Sequence, residues 1–293
     1  MQAELVFEAR NAVGESPVWR ADEQALYWVY IGQRNVWRWD AATGRTAQWR
    51  TRELPACLAP RAAGGWLCGM ESGIFSLALQ GDLAHPALVA AVDHARGGMR
   101  FNDGRCDRQG RFRAGTMLMD MGAAQPAGVL LGLEDHGALR ALERDLITPN
   151  GLAFSPDGRT MYLSDSHPRV RRIWAYDYDA DTGTPHRRRL FVDMNAHPGR
   201  PDGAAVDEDG CYWSCANDAG LVHRFTPEGR LDRSVALPVS KPAMCAFGGA
   251  RLDTLFVTSI RPEGVDLSTQ PLAGGLFAFR PGVRGLAEPS CIH

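Results

Sequence analysis

The chain has 293 residues, with 32 Lys plus Arg against 34 Asp plus Glu, a formal net charge of −2 and seven cysteines. That length fits two average domains or one large all-β domain. The near balance of charge, with the arginines scattered, excludes an electrostatic nucleic-acid footprint, and no apolar run reaches the roughly 18 residues that span a bilayer.

The first residues, "MQAELVFEAR", lack a basic region followed by an apolar stretch, so no secretory leader is read there. Cys57, Cys68, Cys106, Cys211, Cys215, Cys245 and Cys291 are odd in number and irregular in spacing. Buried free thiols in a cytoplasmic protein are the economical expectation. Cys211 and Cys215 would share one face of a strand in "CYWSC", but no second Cys or His pair follows to complete a zinc site. Arg187, Arg188 and Arg189 stand beside the turn-like "DADTGTP" and are expected in a solvated loop.

Six segments repeat one pattern, a Gly- or Asp-bearing turn followed by an aromatic or branched run. In chain order they are "ADEQALYWVY" (21–30), "AAGGWLCGM" (62–70), "DRQGRFRAGT" (107–116), "SPDGRTMYLSD" (155–165), "DEDGCYWSC" (207–215) and "GGARLDTLFVTS" (248–259). Their central residues, Trp28, Leu67, Phe112, Tyr162, Trp213 and Phe256, are 39 to 51 residues apart. A short apolar run precedes each segment and a further strand pair follows it, which makes about four strands per unit. No amphipathic helix of useful length is visible.

A four-stranded sheet of this size cannot bury both faces alone, so neighbours must stack. The pattern predicts an all-β six-bladed β-propeller of four-stranded antiparallel blades around a central channel, spanning residues 1–293 as a single domain. The sixth unit is one strand short, and "ELVFEA" near the N-terminus could supply it. A pair of β-sandwiches is the competing architecture, and it does not explain six equivalent units.

Asn102, Asn150 and Asp202 each precede their unit's turn glycine by eight residues, Gly110, Gly158 and Gly210. Glu15, in "GESPVW", falls at about the same point of the first unit. Each of these residues is expected just before the innermost strand, where loops open onto one end of the channel. Asn-Gly and Asp-Gly are ordinary turn dipeptides. Glu15, however, has no following glycine and no turn preference. Converging Glu, Asn and Asp oxygens suit Ca²⁺, Mg²⁺ or Mn²⁺ and could hold Zn²⁺ or Fe²⁺. Arg100, two residues before Asn102, would offset negative charge there or bind a polar ligand. No nucleophile elbow and no phosphate loop is present.

At "GESPVW" (14–19), "RFNDGRCDRQGRFRAGTM" (100–117), "NGLAFSPDGRTMYLSDS" (150–166) and "PDGAAVDEDGCYWSC" (201–215) the chain resembles the family of gluconolactonase, regucalcin (senescence marker protein) and the luciferin-regenerating enzyme. The resemblance runs in order along nearly the whole chain. It implies a six-bladed propeller with one divalent metal in its channel, and Glu15, Asn150 and Asp202 as that metal's protein ligands. It also implies substrate contacts from Arg100, Asn102 and Asp120. Asp120 stands where many relatives have Glu, and Tyr30 breaks their usual "VDI", so both are departures.

The expected function is therefore a metal-dependent lactonase that opens a small-molecule sugar lactone. In that reading Asp202 is the candidate general base. A non-enzymatic metal-binding regulatory propeller and a hydrolase of another ester are the alternatives, because fold alone does not choose. No nucleic-acid or membrane partner is expected, and the chain is expected to be a monomer or a weak homo-oligomer.

Overall fold

The computed structural model describes residues 2–293. The first strand, β1 (Glu4–Phe7), is followed by a meander of β2 (Gly14–Arg20), β3 (Ala25–Tyr30), β4 (Asn35–Asp40) and β5 (Thr46–Arg50). The next is β6 (Cys57–Pro60), β7 (Trp66–Gly69), β8 (Gly73–Gln80) and β9 (Leu83–Ala91). Then come β10 (Met99–Cys106), β11 (Phe112–Leu118), β12 (Gly128–Leu133) and β13 (Leu139–Leu146), and β14 (Pro149–Phe154), β15 (Thr160–Asp165), β16 (Arg172–Asp179) and β17 (Thr184–Asp193). The last are β18 (Arg200–Val206), β19 (Tyr212–Asn217), β20 (Leu221–Phe225) and β21 (Leu231–Ala236), then β22 (Pro242–Gly248), β23 (Thr254–Ser259) and β24 (Leu276–Phe279).

The fold is all-β and propeller-like. Among the described residues the only helical segments are three short 3₁₀ turns, at Met121–Ala123, Asp135–Gly137 and Met194–Ala196. The strands form four four-stranded sheets and one eight-stranded sheet. The eight-stranded sheet is two meanders, β2–β5 and β6–β9, joined at a single parallel pair, Arg50 with Leu83. The expected four-strand units thus stand as separate sheets in four cases and share one sheet in two. All six marker residues lie on second strands of their meanders: β3, β7, β11, β15, β19 and β23.

Stacking follows from the need to bury two apolar faces per sheet. Six buried apolar clusters lie between consecutive meanders. The one between first and last joins Trp19 and Trp28 to Phe256 and Leu276. There Trp19 stacks on Phe256 with ring centroids 5.5 Å apart. First strands also pack in a closed cycle: β2 on β6, β6 on β10, β10 on β14, β14 on β18, β18 on β22, and β22 back on β2.

Closure is made as the sequence suggested. Strand β1 pairs antiparallel with β24 and completes the sheet β1-β24-β23-β22. Phe7 then packs on Trp28 and Trp37. The segment after β24 crosses the end where first strands finish. Gly285 pairs with Asp207, the Cys291 N–H donates to Pro60 O at 2.6 Å, and the Ile292 N–H donates to Gly110 O at 3.0 Å. Glu288 approaches Arg105 at 3.6 Å.

Two local expectations are corrected. Arg187, Arg188 and Arg189 lie on the exposed strand β17, not in a loop. Arg187 and Arg189 pair with Asp177, while Arg188 lies over Trp174. Cys211 precedes β19 while Cys215 lies within it, and all seven cysteines are free and buried.

Deleting residues 2–8 should leave β24 as an unpaired edge and strip Phe7 from its two tryptophans. Exposed edges template association, and loss of the half-buried Phe7 adds a cost of up to about 3 kcal/mol. The expected outcome is loss of cooperative thermal unfolding with aggregation; a melt matching that of the full chain would contradict this account of closure.

Candidate functional site

The residues singled out from sequence fall at one feature, the slip in each first-strand ladder. In β2, Glu15 pairs with Val29 just before the ladder slips. In β14, Asn150 pairs with Ser164 just before its own slip. In β10 and β18 the slips follow Phe101 and Pro201, so Asn102 and Asp202 are the first residues inside their slips, one step beyond Glu15 and Asn150. Strand β22 slips after Pro242, and its equivalent residue is Ala243, which has no ligand atom. These side chains therefore lie inside the first strands, at β-bulges, and not in loops ahead of them. A bulge re-aims a side chain and breaks pairing locally, which is how a strand residue comes to face the channel.

The glycines after Asn150 and Asp202 follow from this geometry rather than from turns. Gly151 has φ of +58°, and a Cβ there would lie 2.3 Å from the Tyr212 hydroxyl. At Gly203 a Cβ would lie 2.3 Å from Met244. In β2 the equivalent residue is Ser16, held at φ +52° beside Glu15. Its buried hydroxyl accepts from the Leu58 N–H at 2.8 Å. A left-handed non-glycine residue is uncommon and persists where its surroundings fix it.

A tight pocket, with no room for a water as it stands, is lined by Glu15, Ser16, Ala56, Asn102, Asp103, Asn150 and Met244. Its polar atoms are individually oriented. The Asn150 amide nitrogen donates to Ser166 Oγ at 2.7 Å, which turns Oδ1 the other way, where it accepts from Asn102 Nδ2 at 3.2 Å. Arg100 Nη1 donates to Asn102 Oδ1 at 2.8 Å and to Phe101 O at 2.7 Å. Asn217 Nδ2 donates to Asp202 Oδ2 at 2.7 Å. Asp202 Oδ1 accepts no hydrogen bond among the described residues.

Charge is crowded here. Burial, reinforced by Asp202 and Asp103, pushes the Glu15 carboxyl well above its ordinary value. Burial raises Asp202 to about 7, against the opposing pull of Arg200 and the Asn217 hydrogen bond. Asp103 is raised by burial as well, and its Oδ1 is buried without a hydrogen-bond partner among the described residues. Burial also lowers Arg100, the cation that faces Glu15. In each acid burial outweighs the pull of the nearby arginine.

Two carboxylates, Glu15 and Asp202, with the Asn150 amide oxygen make a donor set whose chemistry fits a hard divalent cation; Glu15 and Asn150 line the pocket, and Asp202 is close enough to Glu15 to raise its carboxyl. Among the described residues no group of three or more His, Cys, Asp or Glu side chains is placed to hold a metal. The set Glu15, Asn150 and Asp202 has only two such side chains, its third oxygen being an amide. Glu15, Asn150 and Asp202 are thus the residues that could hold an ion.

Asp120 is not drawn into this set. It is exposed and caps the 3₁₀ turn Met121–Ala123, accepting from the Ala123 N–H at 3.3 Å. Tyr30 is buried and pairs with Gly14, beside Glu15. Sequence reasoning overlooked Asp103, Ser166 and Asn217. Asp103 sits in the quoted "RFNDGR", yet strand alternation points it away from Asn102; only the bulge puts both on the cavity.

The model of the SMP-30/gluconolactonase/LRE-like region matches residues 13–261. The chain belongs to that family. A 6-deoxy-6-sulfogluconolactonase of Pseudomonas putida is 38% identical over 283 residues, covering 95% of this chain and 94% of the relative. A luciferin-regenerating enzyme superimposes with TM-score 0.93 at 26% identity over 99% of both chains. Regucalcin of Agrobacterium tumefaciens, described as a calcium-binding protein, superimposes with TM-score 0.89 at 27% identity over 98% of this chain and 96% of that one.

The raised acids predict a pH signature in chelator. Asp202 titrates near 7 when folded, against 3.8 ordinarily, so the native state binds the extra proton between those values. Stability of the metal-free protein should then fall as pH rises from about 4 to about 7. Asp202→Asn removes that penalty, and its stability gain over the parent should grow from pH 5 to pH 8, to a few kcal/mol. Urea unfolding in EDTA checks this; a variant less stable than the parent at pH 8 would contradict it.

Proposed function

We propose that this protein is a metal-dependent lactonase that hydrolyses a sugar-acid lactone to the free acid. The observation that carries this reading is the gathering of Glu15, Asn150 and Asp202 at the ladder slips of their first strands, with charge that calls for a cation. The lactonase activity named for the P. putida relative supports it, and the calcium binding named for the A. tumefaciens protein supports the metal. With them go six blades, counting the shared sheet as two, in one domain spanning residues 1–293. Seven free thiols fit a cytoplasmic setting. No described helix is long and apolar enough to cross a membrane.

Glu15, Asn150 and Asp202 would hold the ion, and their donor chemistry suits Ca²⁺, Zn²⁺, Mn²⁺, Mg²⁺ and Fe²⁺. Such an ion supplies Lewis acidity to the lactone carbonyl and lowers the pKa of water. The protein's own groups do the rest. Arg100 is fixed by its Nη1 contacts, so its remaining N–H groups can orient the lactone and stabilise developing negative charge. Asn102 bridges Arg100 to Asn150 and keeps both in place. Asp202 is the proton acceptor: Asn217 occupies Oδ2, which leaves Oδ1 for that role. Asp120 would meet the substrate only from the rim.

A panel of aldonolactones with each divalent ion, followed by acid release, tests the reading. The chain should hydrolyse at least one lactone above the spontaneous rate, and Asp202→Ala should lower kcat/KM by about a hundredfold or more. No turnover with any ion, alongside stoichiometric ion binding, would instead indicate a metal-binding regulatory propeller. Turnover confined to other esters would indicate a different hydrolase.

A further inference from the structure

A cation stands two residues before Asn102, Asp202 and Ala243: Arg100 on β10, Arg200 on β18, and Lys241 immediately ahead of β22. Lys241 is the chain's only lysine. Arg100 is engaged inside the site, but the other two form a separate corner. Asp218 follows β19 directly and lies between them, pairing with Arg200 Nε at 2.6 Å and with the Lys241 ammonium. Two cations thus share one carboxylate, and the corner keeps a net positive charge.

The two cations are not equally committed. Arg200 also donates to Ser166 O and to Asn217 Oδ1, each at 3.2 Å, so every nitrogen of its guanidinium is used. The Lys241 ammonium has three N–H groups and one protein partner, Asp218, among the described residues. Its side chain stays 26% exposed. The corner is joined to Asp202 by a hydrogen-bond relay, because Arg200 reaches Asn217 and Asn217 holds Asp202. A ligand seated at Asp202 therefore has an unspent ammonium beyond it, at the same end of the channel.

We propose that Lys241, set by Asp218 and Arg200, binds a terminal anionic group on the substrate, so that the preferred lactone carries a carboxylate, sulfonate or phosphate at the end remote from its carbonyl. This rests on the lactonase reading for the identity of the substrate. A partly exposed ion pair contributes at most about 1 kcal/mol, or about fivefold, so Lys241 sets preference rather than activity. Asp218 opposes it by occupying one of its N–H groups.

Calorimetry with D-gluconate and D-glucarate, the ring-opened acids without and with a second carboxylate, tests the corner independently of turnover. The parent should prefer glucarate. Lys241→Met should reduce that preference about fivefold, Asp218→Asn should increase it, and salt should erode it. Asparagine tolerates the φ of +76° at position 218, so that variant should fold. Equal preference in all three proteins would overturn the proposal. Rates on gluconolactone, on its 6-phospho and 6-deoxy-6-sulfo counterparts, and on glucarolactone then sort the three anions. Lactone turnover without a Lys241-dependent preference overturns the corner alone. A Lys241-dependent preference in binding, with no lactone turned over under any ion, overturns the hydrolase reading and leaves the corner standing.

Discussion

Each small sheet in this protein has two apolar faces, and a sheet alone can cover neither. That constraint forces stacking, and stacking a run of similar meanders ends only when the last meets the first. The closed cycle of first strands and the cluster joining Trp19 and Trp28 to Phe256 are its outcome. Strand β1 completes the last sheet from the other end of the chain, so closure links residues distant in sequence. Such non-local pairing is slow to form and cooperative once made.

The ring also creates the site. First strands lie closest to the axis, so a ladder slip repeated in them appears several times around a narrow channel. The bulge at that slip turns Glu15, Asn102, Asn150 and Asp202 inward. Packing there is tight enough to demand glycine at 151 and 203 and a left-handed serine at 16. Burial then acts against the acids it has gathered, and the pull of Arg100 on Glu15 is smaller than the burial that opposes it. The protein carries an electrostatic conflict at its axis that a bound divalent cation would relieve. Stability is given up locally where function needs it.

Much of this was legible in the sequence. The repeat of turn and aromatic run located every second strand, and the missing last strand pointed to "ELVFEA". The common offset of Asn102, Asn150 and Asp202 from their turn glycines pointed to the ladder slip. The rest depended on tertiary geometry. "NG" and "DG" read as turns because those dipeptides favour turns, whereas here glycine answers to close packing within a strand. Asp103 was passed over because a bulge overrides strand alternation. Asn217, Asp218 and Lys241 form one network only after β19 and β22 are set side by side, and no local pattern announces that. The Arg187–Arg189 run looked like a loop since charge marks solvent exposure, which an outer strand also provides.

The account turns on one divalent ion at the meeting point of Glu15, Asn150 and Asp202. Anomalous diffraction from crystals equilibrated with Mn²⁺ tests it most directly. The expected map has one strong peak per chain, about 2.0–2.6 Å from oxygens of those three residues, and no such peak in crystals of Asp202→Asn. A map without a peak there at saturating Mn²⁺, or with its peak held by other residues, would contradict the account.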